Sequence, residues 1–444
     1  MKKLLLLALL ALPLWLAAQD LPFTVRAKTK YSASGMIGYE TVDSLRYYQL
    51  RLIHEFCYRK FGLGLDLDFL FDKHLNLRKA DWDDLQDALD KIYYFKYASP
   101  GDPFYFHLGG FPGLTIGNGL IMQNYSSMKL YPELRNAGLM LGGCPRWTGD
   151  PGFEVFSSDI RKNQILAFSA RARPLPDSTH KFLSGLVLGI SAVADRDQYG
   201  NLKRLVDPDF QCDVESLESD PVAEFGIAYS LPLFRNDKLE FGQYAEFAHI
   251  LDNGSGAILP GIWFDLDVFR LNLEYRFYGS RFTPAFFDSD YEEDRAFQPD
   301  AECSEFSTKE ELLQGYKPAQ GFNGRVEAFL FQKVKASFAW QNLIGRDLDT
   351  GKSLWMRILV DTRHKSLENF SLAYNKTKTA SLGIDKFVEP NAEIKATAMF
   401  RVYKNRWFLI AKYSESYKDR DGNGVITWDK ETKRSGGLGA KYLY

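Results

Sequence analysis

The chain has 444 residues, of which 45% are hydrophobic and 15% aromatic, and its formal net charge is −2 at pH 7. So small a net charge gives no electrostatic case for nucleic-acid binding. Beyond the N-terminus the sequence has no long apolar run, which excludes helical membrane spans and leaves a closed β-barrel as the architecture able to cross a membrane. The length suits several globular domains or one large barrel.

The N-terminus has the three parts of a secretion signal: a cationic start at Met1–Lys3, an apolar core at Leu4–Leu16, and small residues at Ala17 and Ala18. We therefore predict a signal peptide over residues 1–18 and a single mature domain over 19–444. An ordinary buried helix is the alternative. No cysteine lies at the junction, so a lipoprotein anchor is not expected.

Segments of strict alternation follow along the chain. In Phe269–Tyr278, FRLNLEYRFY, every second residue is apolar and the intervening residues are polar or charged. Residues 62–71, 333–340 and 392–403 repeat the pattern. Period two predicts β-strands with one apolar and one polar face. A single strand of this kind fits a soluble sandwich as well as a membrane barrel.

One early region departs from this alternation. Within Ala80–Tyr94, the apolar residues Trp82, Leu85, Leu89 and Ile92 have helical spacing, which predicts a short helix near residues 80–92. The glycine-rich stretch that follows, over 103–127, predicts bulges or close backbone packing. We interpret residues 72–134 as contributing either a loop or an internal plug.

The lengths of the connections distinguish a membrane barrel from a soluble sandwich. Long connections near 195–222, 279–320 and 416–433 alternate with short ones near 234–238 and 331–333. Tight turns at one end and long loops at the other are typical of a transmembrane barrel. We predict an all-β fold, an antiparallel up-and-down barrel of about 18 to 20 strands within a range of roughly 14 to 20. An even strand number would put both chain ends on the side of the short turns.

Two of the long loops are acidic. One carries Asp288, Asp290, Glu292, Glu293 and Asp294, and the other carries six acidic residues between Asp207 and Asp220. Such loops either bind divalent cations that bridge to lipopolysaccharide phosphates or are solvated and kept soluble by charge. The same loops contain Cys212 and Cys303, which in an exported protein are either bridged or free.

The stretch Asp419–Ile426, DRDGNGVI, resembles the first eight positions of an EF-hand calcium loop. Asp419, Asp421 and Asn423 are the candidate ligands. At the twelfth position Lys430 replaces the expected glutamate. The alternative is a hairpin turn, for which Asp-Gly and Asn-Gly are well suited.

The chain ends in RSGGLGAKYLY, residues 434–444, an alternating strand that stops on the aromatic Tyr444. Together with the signal sequence, this end resembles a bacterial outer-membrane β-barrel of the porin-like class. The resemblance implies export to the outer membrane of a Gram-negative cell. It also implies contact with outer-membrane lipid and lipopolysaccharide, and recognition of the closing strand by the barrel-assembly machinery.

On the strand faces opposite the apolar stripe, basic residues outnumber acidic ones. The candidate pore-lining residues include both charges: Arg51, Arg171, Arg173, Arg270, Glu274, Arg276, Arg325, Glu327, Lys333, Lys335, Arg357, Lys395 and Arg401. Rings of basic side chains select anions in pores. The alternative is that these charges pair across strands and merely fill the lumen.

Evidence for catalysis is thin. The six histidines lack metal-ligand spacing, and no HExxH or phosphate-binding glycine motif is supported by its context. We therefore expect no enzyme activity and no cofactor other than calcium. The sequence favours a passive pore or a substrate-specific channel for small solutes. The alternatives are a plugged, non-conducting barrel with a surface-interaction or structural role, and a soluble secreted β-protein.

Overall fold

The computed structural model describes residues 31–42, 45–79, 82, 91–130, 134, 136–176, 183–204, 214, 217–297, 306–331, 333–345, 351–362, 366–379, 381–383, 387–403, 406–419, 424–427 and 431–443. The predicted signal peptide, most of the helix predicted near residues 80–92, Cys212 and Cys303 lie outside these residues.

The described residues are mostly β-strand. The strands are β1 (Tyr31–Val42), β2 (Leu45–Tyr58), β3 (Phe61–Phe71), β4 (Ile92–Tyr97), β5 (Tyr105–Gly109), β6 (Leu114–Ile116), β7 (Met122–Tyr125), β8 (Gly138–Gly143), β9 (Gly152–Ser157), β10 (Ile165–Ala172), β11 (Val187–Asp195), β12 (Val222–Arg235), β13 (Leu239–Ile250), β14 (Ser255–Leu266), β15 (Phe269–Tyr278), β16 (Ala296–Phe297), β17 (Ser307–Thr308), β18 (Ala319–Leu330), β19 (Val334–Ile344), β20 (Lys352–Asp361), β21 (Leu367–Thr379), β22 (Ala392–Tyr403), β23 (Trp407–Tyr417) and β24 (Thr432–Leu443). Two helical turns, α1 (Tyr291–Asp294) and α2 (Lys309–Leu312), lie between β15 and β18. Within the described ranges, no helix is long and apolar enough to cross a membrane.

Twenty of the described strands form one closed sheet, which is the wall of the barrel. Each wall strand pairs antiparallel with the next along the chain, and β1 also pairs with β24 from Ser32 opposite Leu443 to Tyr39 opposite Gly436. The pairs β6–β7 and β16–β17 form two small separate sheets. The predicted all-β, antiparallel up-and-down barrel is thus confirmed, with a strand number at the upper end of the predicted range.

The two faces of the wall follow the alternation of the sequence. One face carries exposed apolar side chains on neighbouring strands, as where Phe400 of β22 lies opposite Leu409 of β23. Other members of this face are Ile37, Ile190, Ile227, Phe322, Leu372 and Leu438. A continuous apolar outer surface is rare in soluble proteins, whose largest exposed patches are small. The opposite face encloses the lumen and carries most of the charged side chains.

The connections define two ends of the barrel. At the loop end lie the connections 72–91, 110–137, 196–221, 279–318, 380–391 and 418–431, and at the turn end lie 59–60, 236–238, 267–268, 331–333 and 404–406. The alternation in length is clear from β11 onwards. Earlier it is weaker, because the 173–186 connection at the turn end is longer than 43–44 and 158–164 at the loop end. Since the strand number is even, Tyr31 and Leu443 both lie at the turn end.

Aromatic pairs ring the outer face at the turn end. Phe241 stacks on Phe264 with ring centroids 4.5 Å apart, and the rings of Trp407 and Tyr442 are 5.0 Å apart. Phe61 and Tyr97 form a third pair at 4.9 Å. Belts of aromatic side chains at the two lipid–water interfaces are typical of transmembrane barrels, because such rings are apolar but tolerate water at one edge.

Candidate functional site

A hairpin between β5 and β8 folds into the lumen instead of out into solvent. Its residues Leu120, Ile121, Met122 and Tyr125 are fully buried. They belong to one apolar cluster with side chains of the wall, among them Phe156, Ile165, Val193, Ile250 and Leu343. This part of the lumen is therefore packed like a protein core rather than filled with water.

A second segment, after β15, joins the hairpin. Phe282, Phe286 and Phe287 are fully buried in the same cluster. The two segments are also bonded through their backbones: the Ala285 N–H donates to the Leu120 carbonyl at 2.6 Å, and the Gln123 N–H to the Phe287 carbonyl at 3.2 Å. Residues 111–129 and 282–297 thus form one body inside the barrel, which we call the plug.

Glycine lets the tip of the hairpin reach the wall. Gly117 has a φ of +64°, and a Cβ built there would stand 2.5 Å from Oε1 of Glu246 on β13. Gly119 also has a positive φ, +90°. The conformation therefore favours glycine at position 117, and a larger residue would also displace the Glu246 carboxylate. The close packing predicted for the glycine-rich stretch is thus packing of the plug against the wall.

A buried ionic network fixes the plug to the wall near the loop end. Arg295 donates to Asp195, at the end of β11, with 3.1 Å between Nη1 and Oδ2, and to Gln164 with 2.6 Å between Nη2 and Oε1. The Tyr291 hydroxyl donates to the same Asp195 carboxylate at 3.0 Å. Both ionised side chains are about 1% exposed. A buried guanidinium is tolerated only when it is paired in this way.

The acidic residues of α1 extend the plug towards the opposite wall. Asp294 accepts from Lys418, beyond β23, at 3.2 Å and from Lys378, in β21, at 3.4 Å. Asp290 is paired with Lys129 of the hairpin at 2.6 Å. We call these contacts the mouth bridge. The acidic segment is thus held by lysines across the loop end, which differs from the cation-binding or fully solvated loop expected from the sequence.

Charge in the mouth bridge shifts the acidity of its carboxylates. Burial alone would raise the pKa of Asp294, but the ammonium groups of Lys378, Lys418 and Lys309 outweigh it and lower that pKa to about 2. The pKa of Asp290 is likewise lowered, since the Lys129 ammonium outweighs the effect of burial. Both carboxylates are therefore ionised at neutral pH.

Most of the candidate pore-lining residues have charged partners close by. Glu274 and Arg276 pair with each other, with 2.6 Å between Nε and Oε2, and both are nearly buried. Five further ion pairs involve these candidates: Arg51–Asp66 at 2.6 Å, Arg325–Glu327 at 2.7 Å, Arg270–Asp265 at 2.7 Å, Lys395–Glu393 at 2.8 Å and Lys335–Glu327 at 3.5 Å. Arg173 pairs with Asp150 and Arg401 with Glu368.

Three candidates have other surroundings. Arg171 on β10 donates to the Cys144 sulfur at 3.8 Å. Arg357 lies on β20, and Lys333 is exposed in the turn before β19. Arg173 also lies just beyond its strand, since β10 ends at Ala172. The structure therefore brings the candidates together mainly as local pairs, not as one ring around the barrel.

Exposure within the lumen is uneven. The side chains of Arg276 and Glu274, beside the plug, are only 5% and 7% exposed. On β18 and β22, away from the plug core, Arg325 is 36% and Lys395 50% exposed. Charged side chains on this wall thus reach water that does not reach those beside the plug.

The predicted calcium site is only partly within the described residues. Asp421 and Asn423 lie outside them. Asp419 accepts from the Gly424 N–H at 2.7 Å, and Glu431 accepts from the Thr427 N–H at 2.7 Å. In the part of the chain that the structure describes, no group of three or more His, Cys, Asp or Glu side chains is placed to hold a metal ion. Calcium binding remains a prediction.

No protein-family model matches the sequence, and no curated protein is similar to it at a significant level. Among solved structures the chain resembles the siderophore receptor PirA from Acinetobacter baumannii, at 10% identity over 95% of this chain and 81% of that one, with a TM-score of 0.41. It also resembles Acinetobacter baumannii OccAB3, at 10% identity over 94% of this chain and 100% of that one, with a TM-score of 0.34. A third similar structure is CdiB from Acinetobacter baumannii, at 9% identity and a TM-score of 0.27. That match covers 94% of this chain and 61% of CdiB, so this chain spans less than two thirds of the length of CdiB. Likenesses this distant concern the barrel fold alone.

Proposed function

We propose that the protein is a narrow, substrate-specific channel of the Gram-negative outer membrane for small polar solutes. The observation that carries the proposal is the uneven lumen. A plug fills one side, while Arg325 and Lys395 on the other remain exposed. Barrels of about 16 to 18 strands already leave an aqueous channel, so a wider barrel needs such a filling to restrict what passes.

Two features of the wall support the membrane location. Its outer face is apolar on consecutive strands and carries aromatic pairs at the turn end. The sheet closes by pairing β24 with β1, which leaves no strand edge exposed to lipid. In this proposal the loop end faces the cell exterior and contacts lipopolysaccharide, and the assembly machinery recognises β24 during insertion.

Orientation is testable with matched aspartates. Asp252 is exposed at the loop end, and Asp237 is exposed at the turn end. In a background without native cysteines, Asp252→Cys should react with an impermeant maleimide on whole cells and Asp237→Cys should not. Folded protein should also migrate differently on SDS gels before and after boiling. Recovery in the soluble periplasmic fraction, or the reverse labelling, would contradict the location or the orientation.

A plugged, non-conducting barrel with a surface-interaction role is the second candidate. The observation that favours it is the tight docking of the plug, in which Leu120, Ile121 and Phe287 are fully buried and the buried Arg295 pairs with Asp195. Single-channel recordings in planar bilayers distinguish the two candidates. A channel gives small, discrete conductance steps with the native protein. Silence from native protein, with conductance only after the plug is destabilised, would favour the second candidate.

A further inference from the structure

Strand register aligns basic residues on the exposed lumen wall. Arg357 of β20 lies opposite Ala373 of β21, which lies opposite Lys395 of β22. Because neighbouring strands are about 4.8 Å apart, the backbones at 357 and 395 are separated by roughly 10 Å. Lys395 lies opposite Ser414, so Lys412 is its diagonal neighbour on β23, about 7 to 8 Å away.

The residues between these cations are short. Ala373 stands between Arg357 and Lys395, and Ser414 lies beside Lys395. Ser371 and Thr397, opposite each other one step nearer the turn end, add hydroxyl groups. The register thus places long cationic side chains around short ones on this face, an arrangement that we call the basic depression. The basic depression faces the lumen, because the intervening Leu372 and Tyr413 are exposed on the outer face.

Charge near the depression is predominantly positive. The carboxylate nearest in register is Glu393, which pairs with Lys395 at 2.8 Å. Towards the turn end, Glu368 pairs with Arg401, and Asp361 ends β20. At the loop end, Lys378 and Lys418 are engaged by the mouth bridge. On the other side of Arg357, Glu327 of β18 lies in the same row across Ser337 and pairs with Arg325 and Lys335. In this part of the wall the cations Arg325, Lys335, Arg357, Lys395 and Lys412 outnumber the carboxylates Glu327 and Glu393.

We infer that Arg357, Lys395 and Lys412 form a transit site for small organic anions that carry carboxylate or phosphate groups. The inference rests on the proposed channel function and names its substrate class. A guanidinium binds such groups in a bidentate manner, and an ammonium adds a point charge that tolerates movement of the solute. In a narrow lumen with low-dielectric walls, several cations also raise the local anion concentration.

The first test is ion selectivity in planar bilayers. In a KCl gradient at low ionic strength, the reversal potential should favour chloride over potassium, and citrate or phosphate should reduce the chloride current. Arg357→Ala and Lys412→Ala should each weaken the selectivity and the block severalfold. Arg235→Ala, at an exposed cation of the turn end, should change neither. Cation selectivity, or block unchanged in both variants, would overturn the inference while leaving the channel function standing.

A second test does not need conductance. In a background without native cysteines, Ser371→Cys should react faster with an anionic than with a cationic methanethiosulfonate reagent, by about tenfold at low salt, because the local field concentrates anions. Adding Arg357→Ala or Lys412→Ala should reduce that ratio, and phosphate should slow the anionic reagent. Faster reaction with the cationic reagent would overturn the inference. No reaction with either reagent would overturn the proposed function as well.

Discussion

Arg295 and Asp195 are paired at 3.1 Å while both are almost completely buried, one on the plug and the other at the end of a wall strand. A pair in this position links the segment after β15 to β11, a part of the barrel distant in sequence. Because an unpaired buried charge is costly, the pair makes docking of the plug depend on a single geometry.

Replacing Arg295 should release the plug. Arg295→Ala leaves Asp195 buried without its guanidinium, and breaking a buried pair in this way costs about 3 to 5 kcal/mol. We expect faster proteolysis of the 279–318 connection and larger conductance steps, with the barrel still shifted on unboiled SDS gels. Arg196→Ala removes an exposed arginine next to Asp195 and is the matched control. Equal protease resistance in Arg295→Ala and native protein would show that packing alone holds the plug.

The mouth bridge should respond to charge and salt. Lys418 is 48% and Lys378 45% exposed, so each pair should contribute at most about 1 kcal/mol and be screened by salt. Lys378→Glu combined with Lys418→Glu should repel α1 and increase proteolysis of the 279–318 connection at low salt. The increase should shrink near 1 M salt, where the Debye length is about 3 Å. Lys162→Glu combined with Lys238→Glu, at two exposed lysines outside the bridge, controls for the same change in net charge. A salt-independent effect would argue against an electrostatic bridge.

The same bridge predicts a pH response. The pKa of Asp294 is lowered to about 2 from an ordinary value of 3.8, so its contribution is present above pH 3.8 and is lost as pH falls through 2. Protease resistance of the connection, read with an acid-active protease, should therefore persist at pH 4 and decline towards pH 2. Asp294→Asn should already show lower resistance at pH 4 and change less on acidification. A decline of the native protein between pH 6 and pH 4 would implicate other groups.

The wall could be predicted from the sequence, whereas a plug was only one of two interpretations of residues 72–134, and its second segment after β15 was not predicted. Alternation of period two, as in Phe269–Tyr278, is a local signal, and each strand of a barrel repeats it. The plug depends on contacts such as Met122 beside Phe287, which lie far apart in sequence. A signal was present in the apolar runs GLIM at Gly119–Met122 and AFF at Ala285–Phe287, since a solvated loop has no reason to carry them.

Ion pairs could likewise be predicted from the sequence only where the two residues are close along the chain. Pairing of Glu274 with Arg276 was an alternative that sequence proximity suggested, because the two share a face of one strand. The lysines of the mouth bridge had no such signal. Lys129, Lys378 and Lys418 come from three different connections or strand ends, and only the closed barrel brings them to one mouth. Selectivity likewise depends on register across strands, which alternation alone does not specify.

Gly117 offers the sharpest test of plug packing. A side chain there meets both an unfavourable φ of +64° and the Glu246 carboxylate, 2.5 Å from the Cβ position. Gly117→Ala should therefore weaken plug docking by about 1 to 3 kcal/mol, seen as faster proteolysis of the hairpin and a larger conductance. Gly119→Ala is the matched control, because Gly119 lies in the same hairpin with a φ of +90°, and the nearest atom to its Cβ position is the end of the flexible Gln123 side chain at 3.2 Å. If both variants lose docking equally, backbone strain and not contact with the wall requires glycine. If Gly117→Ala behaves as the native protein does, the hairpin tip does not seat against β13.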